Sequence, residues 1–433
     1  MKIEPKILPG YMELLPEGQI LFNEMYDKIR GVYERFGYLP LDTPILEYSE
    51  VLLAKAGGET EKQIYRFNKG ETDISLRFDL TVPLARYVAG RYNDLVFPFK
   101  RYQMGKVFRG ERQQKGRFRE FYQCDIDIIG DTVLDLRNDA EIPAVIYSVF
   151  TELGFNNFTI KINNRKLLSG LFSSLNVSNL SADILRIIDK IAKIGEEKVI
   201  KELKNIDLKE STIKSIISFL SIKGSKEEIL KELDNLDIND ALFLKGREEL
   251  KTVLEGINNF NVPKENYEID LTIARGLDYY TGTIYETILN DYPSLGSVCS
   301  GGRYDNLAEY YTDKVLPGVG ISIGLSRLFF QLREENIIAP KTKNTAEVLI
   351  IPFDNDFSYA LSIMSALIQA KIPTQIYYEQ VPLKKKLQYA NRLGIPYIAL
   401  IGEDEKEKNV ITLKNMESGI QEELNITEVI KKF

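Results

Sequence analysis

The chain has 433 residues, 44% hydrophobic and 27% charged, with a formal net charge of −7, two cysteines and no histidine. That length and balance fit a soluble globular protein of two or three domains. The Met-Lys-Ile-Glu-Pro-Lys start has no apolar signal core, and no stretch approaches 18 uninterrupted apolar residues, so a cytoplasmic location with no membrane partner is expected. The missing histidine removes Ser-His-Asp and Cys-His nucleophiles and histidine-ligated metals, and Cys124 and Cys299 make neither a zinc site nor a disulfide framework. An enzyme built from this set works with Arg, Lys, carboxylates, Tyr and a hard cation such as Mg2+, for which no ligand cluster is assigned. Those tools suit phosphoryl or nucleotidyl transfer. The acidic balance argues against a generic nucleic-acid coat and leaves room for a local basic footprint.

Apolar residues at helical spacing (Ile20, Leu21, Met25, Ile29, Val32, Tyr33, Phe36) predict a helix over 17–36, stopped by Gly37. Residues 39–47 contain Pro40 and Pro44 and read as an edge or interface strand. A hairpin is expected over 63–79 around Asn68-Lys69-Gly70, its second strand alternating Ile74, Leu76 and Phe78 with Asp73, Ser75, Arg77 and Asp79. Thr81 is expected to cap the helix that starts near Val82-Pro83, which places Asp79 and Thr81 at a strand-to-helix junction.

Between Lys100 and Arg119 stand eight Lys or Arg residues and one acidic residue, Glu111. The residues that follow alternate: Phe121, Gln123, Asp125 and Asp127 share one face of a strand, while Tyr122, Cys124, Ile126 and Ile128 share the other. A cationic, Gly-punctuated loop feeding such a strand suggests an anion held beside a small polar ligand. A solvated hairpin whose charges pair with one another fits the same stretch equally well.

A helix over 131–153 and a strand over 158–163 come next. Residues 166–259 are a Lys/Glu/Leu/Ile-rich helical run, read as an insertion. It interrupts a first domain whose parts are 1–165 and 260–335. In the second part, strand alternation over 268–273 leads to Arg275-Gly276-Leu277-Asp278-Tyr279-Tyr280-Thr281-Gly282. The Gly301-Gly302-Arg303-Tyr304-Asp305 cluster follows, and then a buried strand running into a helix over 317–328. Beyond a linker at 340–344, strands alternate with helices over 345–433, an α/β domain without a Gly-rich phosphate fingerprint.

Together these stretches resemble the histidyl-tRNA synthetase family of class II aminoacyl-tRNA synthetases, over nearly the whole chain. The segment from Arg275 to Gly282 is its most specific element, with 301–305 as companion. Thr43-Pro44 resembles the motif 1 dimer strand, 109–127 resembles motif 2, and 324–328 resembles motif 3. The resemblance implies an α+β fold: an antiparallel sheet catalytic domain with a helical insertion, and a C-terminal α/β anticodon-binding domain. It also implies a homodimer that takes L-histidine, ATP with Mg2+, and tRNA(His) in protein biosynthesis.

Site residues carry over one at a time. Arg109 resembles the arginine on the ATP α-phosphate, Glu111 the carboxylate beside adenine, and Arg117 and Arg327 the arginines on the outer phosphates. Planar guanidinium forks suit such posts. Asp79, Thr81 and Gln123 match ligands of the substrate α-amino group. Arg275 matches the arginine on the histidine carboxylate and α-phosphate, and with Arg109 is the catalytic pair. Asp127 and Tyr280 match the imidazole ligands, with Tyr304 alongside. Asp79 and Asp127 are shorter than the glutamates of many members, Ser326 stands where motif 3 often has Glu, and Asp125 has no matching role. The alternative function is a catalytically silent paralogue, acting as a regulatory subunit or as a sensor of uncharged tRNA. Histidine-dependent chemistry separates the two.

Overall fold

The computed structural model describes residues 2–54, 59–111, 116–274, 280–353 and 357–433. Two compact units are present: Met1–Met12 with Met25–Ile337, and Glu13–Glu24 with Ile338–Phe433.

The first unit is built on an eight-stranded sheet. Its strands are β1 (Leu39–Pro40), β5 (Phe99–Phe108), β6 (Glu120–Ile129), β7 (Phe158–Asn164), β8 (Tyr267–Ile269), β9 (Thr283–Leu289), β10 (Ser297–Tyr304) and β11 (Gly318–Ile323). They lie in the order β1-β5-β6-β11-β10-β9-β7-β8, antiparallel except for the pairs β1/β5 and β7/β8 at the two edges. A second, three-stranded sheet joins β2 (Leu46–Tyr48), β3 (Arg66–Lys69) and β4 (Thr72–Leu76) in the order β2-β4-β3.

The spine is the β5–β6 ladder, in continuous register from Phe99↔Ile129 to Phe108↔Glu120. One face of β6 presents Cys124, Ile126 and Ile128, all fully buried. Helix Pro16–Arg35 covers this region and fastens to it, Tyr33 donating to the Cys124 carbonyl at 3.0 Å. The opposite face of the sheet is polar, and small residues line it up. Pairing sets Gln103↔Asp125↔Ser322↔Ser300 in one row and Arg101↔Asp127↔Gly320↔Gly302 in the next. A Cβ on Gly320 would collide with the Asp127 carboxylate and the Ile126 carbonyl, so glycine is what lets β11 pass this close.

Local expectations differ from the structure at three places. The edge strand expected over 39–47 is split, Leu39–Pro40 joining the large sheet and Leu46–Tyr48 the small one, because Pro40 and Pro44 leave too few backbone donors for a continuous ladder. The strand expected over 268–273 stops at Ile269. Asp270 accepts hydrogen bonds from the Thr272 backbone (3.0 Å) and hydroxyl (2.5 Å), and such a turn competes with the ladder. The helix after β4 starts at Thr81, but Thr81 is not its cap; the Asp79 carboxylate accepts from the Val82 N–H at 3.0 Å. The hairpin falls as expected, with Gly70 at φ +62° closing Lys69↔Thr72.

From Arg165–Ser174 to Ala241–Asn259 the described chain is helical, with no strand. The first and last of these helices meet at Gly170 and Gly246, where added side chains would strike Phe243 and Leu167.

In the second unit, β12 (Val348–Pro352), β13 (Thr374–Ile376), β14 (Tyr397–Ile401), β15 (Ile411–Asn415) and β16 (Gln421–Leu424) form a sheet in the order β13-β12-β14-β15-β16. The first three strands are parallel and the rest antiparallel. Helix Ser358–Gln369 buries Ala360, Ile363 and Leu367 against Val348 and Ile350. This is the α/β arrangement that the strand–helix alternation predicts.

Candidate active site

The polar face of the large sheet floors a cavity of about 480 Å³, where the basic stretch and the alternating strand meet. Asp79, Thr81, Arg109, Glu111, Arg117, Gln123, Tyr280 and Arg327 all line it. Eight sequence-predicted residues from five separate segments are thus brought together. Arg275 lies outside the described residues. Asp127 and Tyr304 sit beside the floor and do not line the cavity.

At the cationic end, Arg109 is held by its surroundings. Its Nε donates to the Phe78 carbonyl at 3.2 Å, and its guanidinium lies 4.4 Å from the Phe78 ring centre and 5.1 Å from that of Phe121. Burial pushes its pKa down, which does not discharge an arginine. Two aromatic faces fix the plane of the fork and leave its outer nitrogens for an anion. Glu111 and Arg117 form an ion pair at 3.2 Å across the motif 2 loop. Arg327 donates to the Leu295 carbonyl at 3.1 Å. Ser326 accepts from the Tyr122 N–H at 2.9 Å, locking helix Leu325–Glu334 to β6.

Most of the other basic residues between 100 and 119 are neutralised within the fold. Lys100 pairs with Glu141, Arg101 with Asp127 and Lys106 with Glu120, each at 2.6 Å. The paired-hairpin reading therefore describes part of this stretch, and Arg109 and Arg117 are the described members that line the cavity.

At the acidic end, Gln123 and Asp125 form the floor. Gln123 Nε2 donates to the Ser322 hydroxyl at 2.7 Å, and Ser322 is hydrogen-bonded in turn to Asp125. Asp127 is engaged on both oxygens: the Tyr304 hydroxyl donates to Oδ1 at 2.7 Å, and Arg101 Nη2 reaches Oδ2 at 2.6 Å. Burial pushes the Asp125 carboxyl up to about 7 and Asp127 up to about 6, with Arg101 opposing both shifts. Asp79 is also raised by burial, against the pull of the Val82 N–H and Arg109. Burial raises the Tyr280 phenol as well, so it stays protonated as a donor.

The glycine-rich companion motif is buttressed from behind. Arg303 makes a buried ion pair with Asp139 at 2.6 Å, and the Tyr285 hydroxyl donates to the Asp139 carbonyl at 2.7 Å. Thr281 N donates to the Arg303 carbonyl at 2.8 Å and its hydroxyl to Asp305 at 2.6 Å, so the chain beside Tyr280 is tied to β10.

Two residues without a predicted role become part of the arrangement. Arg101, fully buried, is the counter-ion that occupies Asp127. Asp125 is a third carboxylate on the cavity wall, beside Asp79 and Glu111. Alternation places Asp125 and Asp127 on one face, and pairing with β11 sets Ser322 beside Asp125 and Gly320 beside Asp127.

The chain is similar to known proteins along its length. Residues 10–328 match a family model described as histidyl-tRNA synthetase, and residues 347–433 match one described as an anticodon binding domain. A histidine–tRNA ligase of Clostridium tetani is 59% identical over 430 residues, covering 99% of this chain and 98% of its own. One of Finegoldia magna is 47% identical with both chains covered completely. The crystal structure of histidyl-tRNA synthetase from a Nostoc species superposes with a TM-score of 0.90 at 40% identity, covering both chains entirely. With a family model over residues 10–328 and relatives matched along their full length, the chain belongs to the histidyl-tRNA synthetase family.

Proposed function

We propose that the protein is a histidine–tRNA ligase: it activates L-histidine with ATP to histidyl-adenylate and transfers the histidyl group to the 3′ end of tRNA(His). The observation that carries this is a cavity lined by Arg109, Arg117 and Arg327 together with Asp79, Gln123 and Asp125. Such a site matches a polyphosphate beside an amino acid bearing an extra ring nitrogen. The full-length ligases named above favour this enzyme over a silent paralogue.

ATP enters as its magnesium complex; among the described residues no group of three His, Cys, Asp or Glu side chains gathers to hold a resident metal. Arg109, fixed between two rings, binds the α-phosphate, and Arg327 and Arg117 bind the outer phosphates. Arg117 first releases Glu111, which then faces the adenine. Asp79, Thr81 and Gln123 hold the histidine amine. Arg275 holds its carboxylate, and Tyr280, Tyr304 and Asp127 shape the ring end.

The substrate carboxylate is already a nucleophile. Its obstacle is repulsion by the phosphates, which the arginines and the metal charge offset while holding the two partners in line. A carboxylate oxygen bonds to the α-phosphorus, the bond to the bridging oxygen breaks, and pyrophosphate leaves. A ribose hydroxyl of the tRNA terminus then attacks the carbonyl carbon and AMP leaves.

The second unit supplies the tRNA contact. A cytoplasmic homodimer completes the reading, supported by exposed apolar residues on the small sheet, Leu46, Tyr48 and Phe67, beside Ile45. Histidine-dependent ATP–pyrophosphate exchange is the test. Exchange with histidine alone among the amino acids supports the ligase, whereas ATP binding without exchange points to the silent paralogue.

A further inference from the structure

On the reading of Arg275 as the arginine at the reacting carboxylate, we infer that Arg165 and Asn163 are positioning residues for adenylation. They set the segment that carries Arg275, and Glu249 of the helical insertion holds them in place.

The chain approaches Arg275 outside the ladder. Strand β8 stops at Ile269, paired with Ile162, and Leu271, Ile273 and Ala274 are buried beyond it. Buried carbonyls need donors, and here side chains supply them. Asn163 Nδ2 donates to the carbonyls of Leu271 (3.3 Å) and Ile273 (3.0 Å). Arg165 Nη1 donates to the carbonyl of Ala274 at 2.9 Å, and Ala274 is the residue before Arg275.

The returning chain is held by the same residue. The Arg165 N–H donates to the carbonyl of Gly282, just past Tyr280, at 2.8 Å. A Cβ on Gly282 would strike the Arg303 side chain, so glycine is what lets this flank lie against β10. Arg165 thus grips the described chain on both sides of 275–279, one flank with its side chain and the other with its backbone.

The intervening side chains turn to the insertion. Asn164 Nδ2 donates to Glu249 Oε2 at 2.9 Å, and Lys166 forms an ion pair with Glu249 Oε1. Positions 163 and 165 therefore serve the Arg275 segment, while 164 and 166 serve Ala241–Asn259, the last helix of the insertion. Asn163 and Asn164 are fully buried, and Arg165 and Glu249 nearly so. None of these five residues lines the cavity. They act on the reaction through the segment they hold, and a misplacement of about 1 Å originating far from the chemistry can cost about 100-fold in rate.

Histidine-dependent ATP–pyrophosphate exchange by the full chain, well below its melting temperature, is the test. Arg165→Met should lower kcat about 10- to 100-fold with the KM for ATP within about threefold, any rise in KM falling on histidine, whose carboxylate Arg275 holds. Arg165→Lys keeps a donor for the Ala274 carbonyl and should recover part of the rate. A side chain that only packs the joint would lower the melting temperature and leave kcat alone. Wild-type kcat in Arg165→Met therefore overturns the inference. Should Arg165→Met not fold, Arg165→Lys decides: a kcat lowered about three- to tenfold supports the inference, and an unchanged one overturns it.

Glu249→Gln should lower kcat in the same direction. Combined with Arg165→Lys it should lose less than the product of the two single losses, because both act on one element. A full product would detach the insertion from the segment and overturn that part. A wild type without exchange refutes the ligase reading and the inference with it. A wild type that exchanges, beside variants that match it, refutes the inference alone.

Discussion

Arg101 and Asp127 form a buried ion pair at 2.6 Å across the β5–β6 ladder, one row beyond the residues that line the cavity. Two further nitrogens of Arg101, Nε and Nη1, are buried without hydrogen-bond partners among the described residues. The guanidinium thus depends heavily on this one carboxylate. Asp127→Asn should therefore cost about 3–5 kcal/mol by leaving the cation buried and uncompensated. Urea denaturation reads this as a lowered midpoint, and adding Arg101→Met should restore part of it. A midpoint equal to that of wild type would show that the pair contributes nothing to the fold.

Arg109 between the Phe78 and Phe121 rings presents a plane that lysine does not have. Arg109→Lys keeps the charge and loses both the stacking and the fork. The KM for ATP in pyrophosphate exchange should rise about tenfold, while histidine binding in the absence of ATP stays within about twofold. Equal losses for both ligands would mean that the side chain supports the whole cavity instead of one end.

The raised aspartates give the ligand-free protein a pH dependence of definite sign. An unfolded Asp ionises near about 3.9, and folding lifts Asp125 to about 7 and Asp127 to about 6. Between those values the folded chain binds more protons than the unfolded chain, so these two groups make stability fall as pH rises from about 4 to 7, and they level off above that. Depressed carboxylates such as Asp73 and Asp270 push the other way, with their contribution lost below about pH 4. Melting temperatures of wild type and Asp125→Asn at about pH 5 and about pH 7.5 isolate the difference. The variant should lose less stability across the window, and identical slopes would show that Asp125 does not titrate there.

Arg275 opens the segment Arg275-Gly276-Leu277-Asp278-Tyr279-Tyr280-Thr281-Gly282. Arg275→Ala should lower the exchange rate by about a hundredfold or more, as loss of a donor aimed at developing charge does, with the melting temperature close to wild type. Normal exchange would remove it from the mechanism.

Sequence patterns carried much of the fold because they are local. Period-2 alternation put Gln123, Asp125 and Asp127 on one face of β6 and Cys124, Ile126 and Ile128 on the other, and the strand–helix alternation of 345–433 fixed an α/β unit. Where side chains compete with the backbone, the local reading slipped. Asp270 ended its strand early by capturing Thr272, and Asp79 took the cap expected of Thr81.

Chemistry was legible in the same way. The absence of histidine pointed to phosphoryl or nucleotidyl transfer, and the arginines at 109 and 327 with the motif from 275 to 282 carry the resemblance that implies an ATP and amino-acid site. What the sequence could not divide was the labour within a face. Asp125 and Asp127 are equivalent by alternation; they become different only because β5 places Arg101 opposite one, while β11 sets Ser322 against the other. Strand pairing sets Arg101 against Asp127 from the neighbouring strand and Ser322 against Asp125 from some two hundred positions away, and those partners decide which carboxylate is spent in a buried ion pair.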